Sequence, residues 1–458
     1  MYRPGSLSRE DAGLFTDLYE LTMAQSYLHE GMFAPATFSL FVRPSRVRRP
    51  YLVSAGLEDV LRYLEEFTFS EGAIDYLRST GIFADDFLDY LGHLRFTGRV
   101  RAIPEGRLYF YDEPVLEITA PIIEAQVAET LVINQMNLQS LIATKAARCV
   151  WAARGRVVVD FSLRRTQGVD AGMVVARSSY MVGFQSTSNV LAGKAYGIPI
   201  TGTMAHSYVT SFEHEIDSFR AFARSFPENT VLLIDTYDTV AAAHKAVEVG
   251  HEMERRGHRL QGVRLDSGDL LALSKEVRRV LDDGGMEYVR ILASGGLDEF
   301  QVQGLVQAGA PIYGFGVGTK MGVSGDAPWL DMAYKLVRYG ERPVLKLSEG
   351  KETLADEKQV FRRWTPEGRL RGDVIALAGE RPPERSAEPL LETWIEGGRI
   401  AKPLPSLQHM RERFQRDFSA LDDRYKVLKK APHYPVRLSR ALRRLQRQVK
   451  REVLAVEL

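Results

Sequence analysis

The chemically suggestive residues of this chain lie just after its apolar runs. Gly202-Thr203-Met204-Ala205-His206-Ser207 follows Gly197-Ile198-Pro199-Ile200-Thr201, a short run that reads as a barrel strand. A histidine flanked by small and hydroxylated residues at a strand end is accessible and surrounded by hydrogen-bond donors. That environment suits a phosphoryl acceptor or a general acid/base; the plainer alternative is a structural histidine capping a loop. In Arg264-Leu265-Asp266-Ser267-Gly268-Asp269, strand alternation puts Arg264 and Asp266 on one face. Such an arginine can hold a planar carboxylate, and such an aspartate can hold ribose hydroxyls. The alternative is a local ion pair, with Ser267 or Asp269 starting the next helix. Cap and site can coexist.

Two glycine-rich turns, Ser294-Gly295-Gly296 and Gly314-Phe315-Gly316-Val317-Gly318-Thr319-Lys320, each follow an apolar strand. Glycines let backbone N–H groups close on a phosphate, and a following helix N-terminus adds a favourable dipole. Neither turn has the spacing of a P-loop or of a dinucleotide fingerprint. Phe161-Ser162-Leu163-Arg164-Arg165 places an aromatic ring and two arginines after a strand. They can stack on and pair with an aromatic acid or a phosphate, or simply form a solvated loop. A dedicated metal cage is not indicated. His214-Glu215 lacks the H-E-x-x-H spacing, and His251 and His258 fall in a charged, exposed helical region. A Mg2+ held through carboxylates and ligand phosphates fits better. Together these features indicate an enzyme acting on a phosphorylated sugar and a small anionic partner.

The elements that must position these residues begin near residue 156. Val157-Val158-Val159-Asp160-Phe161, Val231 to Asp235, Gly262 to Asp266, Val289 to Ser294 and Ile312 to Gly316 are buried-strand runs, three of them reaching an acid. Helical patterns such as Leu270 to Leu281 and Asp298 to Ala308 lie between them, which means a parallel sheet with its site at the strand C-termini. Barrel and open sheet are both compatible with that local pattern. Earlier in the chain, Asp17 and Glu20 have capping-box spacing before a helix that Gly31 stops. A strand is expected at 36–42, an amphipathic helix at 57–67, antiparallel strands within 96–119, and one long helix over 122–153. After residue 325 short strands are expected at 335–339, 343–347 and 361–364, then two helical stretches. The last, from Arg437 to Val453, is basic, but Leu438, Leu442 and Leu445 give it an apolar stripe for docking on the protein itself.

Composition narrows the class. With 458 residues, 60 Lys+Arg against 59 Asp+Glu and 45% hydrophobic residues, the chain reads as soluble, globular and multidomain, not disordered. The balanced charge argues against nucleic acid or a membrane as partner. The single Cys149 excludes an internal disulfide and fits a reducing compartment. The start, Met-Tyr-Arg-Pro-Gly-Ser, lacks the apolar core of a secretory signal, and no apolar window is long enough for a membrane span. A cytoplasmic location is expected.

Phe15-Thr16-Asp17-Leu18-Tyr19-Glu20-Leu21-Thr22-Met23 resembles the N-terminal signature of the nicotinate phosphoribosyltransferase family. The stretches 202–207, 262–270 and 314–319 and Pro403-Leu404-Pro405-Ser406-Leu407 resemble it too, in the right order along nearly the whole chain. The resemblance implies an α/β type II phosphoribosyltransferase fold, an irregular β/α barrel with a second mixed α+β domain built from N- and C-terminal segments. Its expected boundaries are 1–125, 126–330 for the barrel, and 331–458 with a basic helical tail. It implies nicotinate, 5-phosphoribosyl 1-pyrophosphate and ATP as substrates, Mg2+ as cofactor, and a homodimer with shared active sites. Residue by residue, His206 is similar to a histidine transiently phosphorylated by ATP, and Tyr19 to a ring-stacking residue that reaches the neighbouring subunit's site. Arg264 resembles the arginine on the nicotinate carboxylate, with Thr203 also touching nicotinate, and Ser207 standing where acid and amide users are expected to differ. Thr319 resembles the ribose 5-phosphate holder, beside Ser294, Gly295, Gly296, Gly316 and Gly318. Phe161, Arg164 and Arg165 are pocket walls, and Asp266 faces the ribose. Competing expectations are a relative using nicotinamide or quinolinate, and a non-catalytic relative.

Overall fold

The computed structural model describes residues 10–44, 49–348 and 351–457. The chain divides into two compact units, Lys145–Asp326 and Met1–Thr144 together with Ala327–Leu458.

The Lys145–Asp326 unit is built on six parallel strands: β1 (Val157–Asp160), β2 (Ser186–Thr187), β3 (Val231–Leu233), β4 (Gly262–Leu265), β5 (Arg290–Ala293) and β6 (Gly314–Val317). Their spatial order is β2-β1-β6-β5-β4-β3. All the ladders are parallel, so every strand C-terminus opens on the same edge. Helices Val169–Met181, Thr239–Glu254, Leu270–Asp283 and Glu299–Gln307 carry the chain back between strands. Asp238, Asp269 and Asp298 cap the last three of these by accepting first-turn N–H groups. The expected strand over 197–201 is reduced to a single parallel bridge, Thr187 with Ile200. Gly197 stops the preceding helix in a left-handed conformation, and Pro199 offers only its carbonyl, to Thr187 N–H at 3.1 Å. The sheet is thus the barrel in irregular form: among the described residues no ladder joins β2 to β3.

The other unit carries a seven-stranded antiparallel sheet that includes Pro35–Val42, Leu116–Pro121 and Arg99–Ala102 from the N-terminal segment and Met332–Tyr339 and Glu392–Glu396 from the C-terminal one. Pro35–Val42 is buried from its second residue onward. A strand of this kind is covered on both faces. Three expectations change here. The strand over 343–347 shrinks to Arg342–Pro343. Leu108–Tyr109, inside 96–119, pairs with Leu52–Val53 and not with its sequence neighbours. The final helix starts at Arg440, with Val436–Leu438 a strand before it. Its Leu442 and Val449 are buried, and Lys450 pairs with Glu352 at 3.0 Å, so it docks on its own unit.

The largest departure concerns the start of this unit. Residues 122–153 form two helices, Ile122–Gln126 and Glu129–Ala153. The helix Leu18–His29 begins at Asp17, as expected, and Gly31 follows its end with φ of +65°. The reciprocal capping box does not form, because Asp17 makes no side-chain cap. Both carboxylates turn instead to Thr130: its Oγ1 lies 3.1 Å from Asp17 Oδ2 and in contact with Glu20 Oε1, and its N–H donates to Glu20 Oε1 at 3.1 Å. A first-turn N–H with no helical partner is satisfied there by a distant carboxylate.

Glu20 is buried, and burial raises its carboxyl above the usual range while the bonds from Thr130 and Thr16 pull the other way. A group raised in the folded state contributes stability below its unfolded pKa and loses it as pH rises through the folded value. Thr130→Val removes one opposing bond, so the loss at neutral pH deepens. We expect Thr130→Val to cost about 1–3 kcal/mol at pH 7 and less at pH 4, read from urea denaturation at both. An equal deficit at the two pH values would contradict this account.

Candidate active site

His206 opens the short helix His206–Thr210. Its imidazole is about half exposed, and Nε2 lies 3.3 Å from Asp235 Oδ1. The Asp235 side chain, just past β3, is 2% exposed. Its second oxygen, Oδ2, accepts from Ser267 Oγ at 2.6 Å. Asp235 has no role in the sequence expectations. Its signal was present all the same, as an acid closing an apolar run.

Arg264, on β4, points its guanidinium at the chain just before His206. Nη1 donates to Thr203 Oγ1 at 2.5 Å and Nη2 to the Met204 carbonyl at 2.9 Å. Nε is buried without a hydrogen-bond partner. Burial draws the Arg264 pKa down, Asp266 and Asp235 oppose that shift, and the like charge of Arg164 adds to it. An arginine keeps its charge in such a setting. The result is a desolvated planar cation with an unused donor, ready for an anion.

Asp266 follows on the same loop, and its Oδ1 accepts from Ser294 Oγ. Gly295 has φ of +90°, and a Cβ there would stand 1.7 Å from the Asp266 carbonyl oxygen. Only glycine lets these two loops approach so closely. On β6, a Cβ at Gly316 would stand 2.5 Å from the Phe161 ring and 3.2 Å from Ser294 Cβ. Phe161 therefore leans over β6. Its anchor is Asp160, buried, which accepts from Ser162 N–H at 2.9 Å, Ser162 Oγ at 2.5 Å and Thr187 Oγ1 at 2.7 Å. Burial pushes the Asp160 carboxyl up, against the pull of those donors.

The other expected residues are placed as follows. Leu163–Arg165 is a 3-10 turn in which Arg164 and Arg165 are exposed, and Arg164 is the one whose charge acts on Arg264. A Cβ at Gly318 would stand 3.1 Å from the Phe161 carbonyl oxygen, and Thr319 is exposed at the start of the turn Thr319–Gly322. Lys320 is tied to Gln301 at 3.1 Å and Asp298 at 3.3 Å. Ser207 is exposed beside His206. Asp269 caps the helix Leu270–Asp283, the plainer role foreseen for it. Tyr19 belongs to the other unit, where it is 46% exposed; partial burial and the carboxylates of Glu129 and Glu20 raise its phenol. One strand edge thus gathers a half-exposed imidazole, a desolvated arginine, three anchored carboxylates and two glycine turns. That set can bind an acid and a sugar phosphate and offer a nucleophilic nitrogen.

Models of the nicotinate phosphoribosyltransferase family match three stretches: the N-terminal domain over 14–137, the family's main model over 157–338 and the C-terminal domain over 383–446. A nicotinate phosphoribosyltransferase of Mycobacterium tuberculosis is 48% identical over 428 residues, covering 93% of this chain and 91% of its own. One of Bacillus subtilis is 36% identical, covering 94% and 93%. Among solved structures, human nicotinic acid phosphoribosyltransferase superposes with a TM-score of 0.85 at 30% identity, covering 95% of this chain and 99% of that one. Nicotinate-nucleotide pyrophosphorylase from Pyrococcus furiosus gives 0.75 at 24% identity, a likeness of fold.

The close approach at Gly295 is testable against a glycine with the same backbone but open space. Gly309 has φ of +70° and nothing within 4 Å of a built Cβ. Gly309→Ala should cost about 1 kcal/mol, from backbone strain alone. Gly295→Ala should cost several times that, because a loop must also move. Equal costs in denaturant titrations would mean that the contact with Asp266 constrains nothing.

Proposed function

The chain belongs to the nicotinate phosphoribosyltransferase family, and from that premise we propose that it joins nicotinate to 5-phosphoribosyl 1-pyrophosphate in an ATP-coupled step. The products are nicotinate mononucleotide and pyrophosphate, in the first step of NAD salvage from nicotinate. It is an enzyme of this class; its relatives do not favour a nicotinamide or quinolinate user or a non-catalytic protein. The observation that carries the reading is Arg264, whose half-buried guanidinium, with Nε buried and unpaired, matches a planar carboxylate.

The nicotinate carboxylate lies on Arg264 and Thr203, with Phe161 and Arg164 as walls and Ser207 nearby to favour the acid over the amide. The sugar phosphates take the turns 294–296 and 316–319, where backbone N–H groups are exposed by glycine. As pyrophosphate leaves, the ribosyl C1 becomes cationic. Asp266, held by Ser294, binds the ribose hydroxyls and favours that charge. The nicotinate ring nitrogen then attacks C1, held in line by its clamp. Tyr19 stacks on the ring from the neighbouring subunit of a homodimer. Asp266 is the carboxylate that would help hold a Mg2+ brought in on pyrophosphate, and such an ion would neutralise the leaving charge. Among the described residues no three His, Cys, Asp or Glu form a cage of their own.

His206 takes the ATP step. With Nε2 facing Asp235 and carrying its proton, Nδ1 keeps the lone pair. Nδ1 attacks the γ-phosphorus, the bond to the bridging oxygen breaks, and ADP departs with that electron pair. The phosphohistidine adds negative charge beside these loops and reorders them; water later releases phosphate. Among the described residues no helix is long and apolar enough to cross a membrane, and the enzyme is proposed to act in the cytoplasm.

The purified protein, given 5-phosphoribosyl 1-pyrophosphate and Mg2+ with nicotinate, nicotinamide or quinolinate, should make mononucleotide from nicotinate, faster with ATP. Product from another base alone would overturn the pocket assignment. His206→Ala should abolish the ATP stimulation and keep a slow ATP-independent transfer; unchanged stimulation would remove the histidine from the mechanism. Arg264→Lys cannot keep the planar fork, and the KM for nicotinate should rise roughly tenfold or more. An unaltered KM would place the carboxylate elsewhere.

A further inference from the structure

Ser267 is a residue to which no role attaches beyond the capping alternative, and the structure takes that alternative away. The helix Leu270–Asp283 is capped by Asp269, whose Oδ1 accepts from Leu271 N–H at 3.0 Å and Ala272 N–H at 3.1 Å. Ser267 instead reaches across to the loop after β3, where its Oγ donates to Asp235 Oδ2 at 2.6 Å. The other oxygen of that carboxylate is buried without a hydrogen-bond partner and lies 3.3 Å from His206 Nε2, within ion-pair reach of it.

We propose that Ser267 is a positioning residue for His206: by fixing one oxygen of Asp235 it aims the other at Nε2, and so presents Nδ1 to ATP. The proposal rests on the ATP-coupled reading above. An aspartate side chain turns freely about two bonds, so a carboxylate facing a half-exposed imidazole needs a second tie to keep its direction. The Asp235 side chain is 2% exposed, so a hydroxyl of the protein, that of the exposed Ser267, is placed to supply the tie. Ser267 is also the next residue after Asp266, which Ser294 holds. A single peptide therefore joins the carboxylate assigned to ribose with the support of the phosphoryl-accepting histidine. Sugar bound at Asp266 and phosphate carried by His206 would act on one another through that peptide, with the left-handed Gly268 behind it (φ of +80°). Such a link predicts that loss of the Ser267 hydroxyl impairs the phosphorylation of His206 and spares base transfer itself.

The test labels the full-length protein with ATP carrying radioactive γ-phosphate and counts acid-labile phosphate. It also measures ATP-independent mononucleotide formation on the same preparations. For Ser267→Ala the labelling rate should fall on the order of tenfold, the usual worth of a hydrogen bond to a charged group. ATP-independent transfer should change by no more than about twofold, which also shows that the variant is folded. Ser267→Thr, which keeps a hydroxyl, should restore most of the labelling. Wild-type labelling in Ser267→Ala overturns the proposal alone, as does an equal loss of labelling and transfer, which would make Ser267 a general prop of the loop. A wild-type protein that takes no label overturns the ATP-coupled reading together with it.

Discussion

A carboxylate at the end of a parallel strand, tied to a hydroxyl from the adjacent strand's loop, is the contact on which the rest of this site depends. It recurs three times. Asp160, the last residue of β1, takes Thr187, the last of β2, at 2.7 Å, Asp235 past β3 takes Ser267 past β4 at 2.6 Å, and Asp266 past β4 takes Ser294 past β5. The backbone ladder ends where the strands end, and the loops beyond would otherwise be free to splay. The first tie closes the last pair of its ladder and the other two carry the pairing past the sheet, each by a charge-assisted bond worth about 1.5–3 kcal/mol. The cost is visible at Asp160, where burial works against the ionised carboxyl. β6 brings no acid. It closes its two neighbours by having no side chain at Gly316, where the Phe161 ring and Ser294 meet.

With the loops fixed, the site's chemistry is one of charges held short of full pairing. Arg264 spends two donors on Thr203 and Met204 and leaves Nε without a partner. Asp235 meets His206 with one oxygen only. A fully paired ion would contribute little to binding, because the protein would already have satisfied it. A partly paired one in a low-dielectric setting gains the most from the ligand that completes it. The nicotinate carboxylate and the phosphates are the groups that complete these.

Much of this was legible from the residues. The strand-end acids stand out because each closes an apolar run, and the glycine turns and the His206 stretch follow such runs directly. The ties were not legible, since the hydroxyls lie 27, 32 and 28 residues from their acids along the chain and serine and threonine are common in loops. β2 escaped for a related reason: Ser186–Thr187 is two polar residues with no apolar signal. The break between Gln126 and Glu129 ran against a helix-favouring composition. Its cause is tertiary, a Thr130 N–H that Glu20 satisfies from more than a hundred residues away. For the same reason Asp17 and Glu20 had the spacing of a capping box without making one.

The most direct test is a crystal structure of the protein with nicotinate mononucleotide. The account predicts the base carboxylate on the Arg264 guanidinium with Nε engaged, the ribose against Asp266, and the 5′-phosphate within the glycine turns at 294–296 and 316–319. A nucleotide bound elsewhere, or one whose carboxylate avoids Arg264, would contradict it.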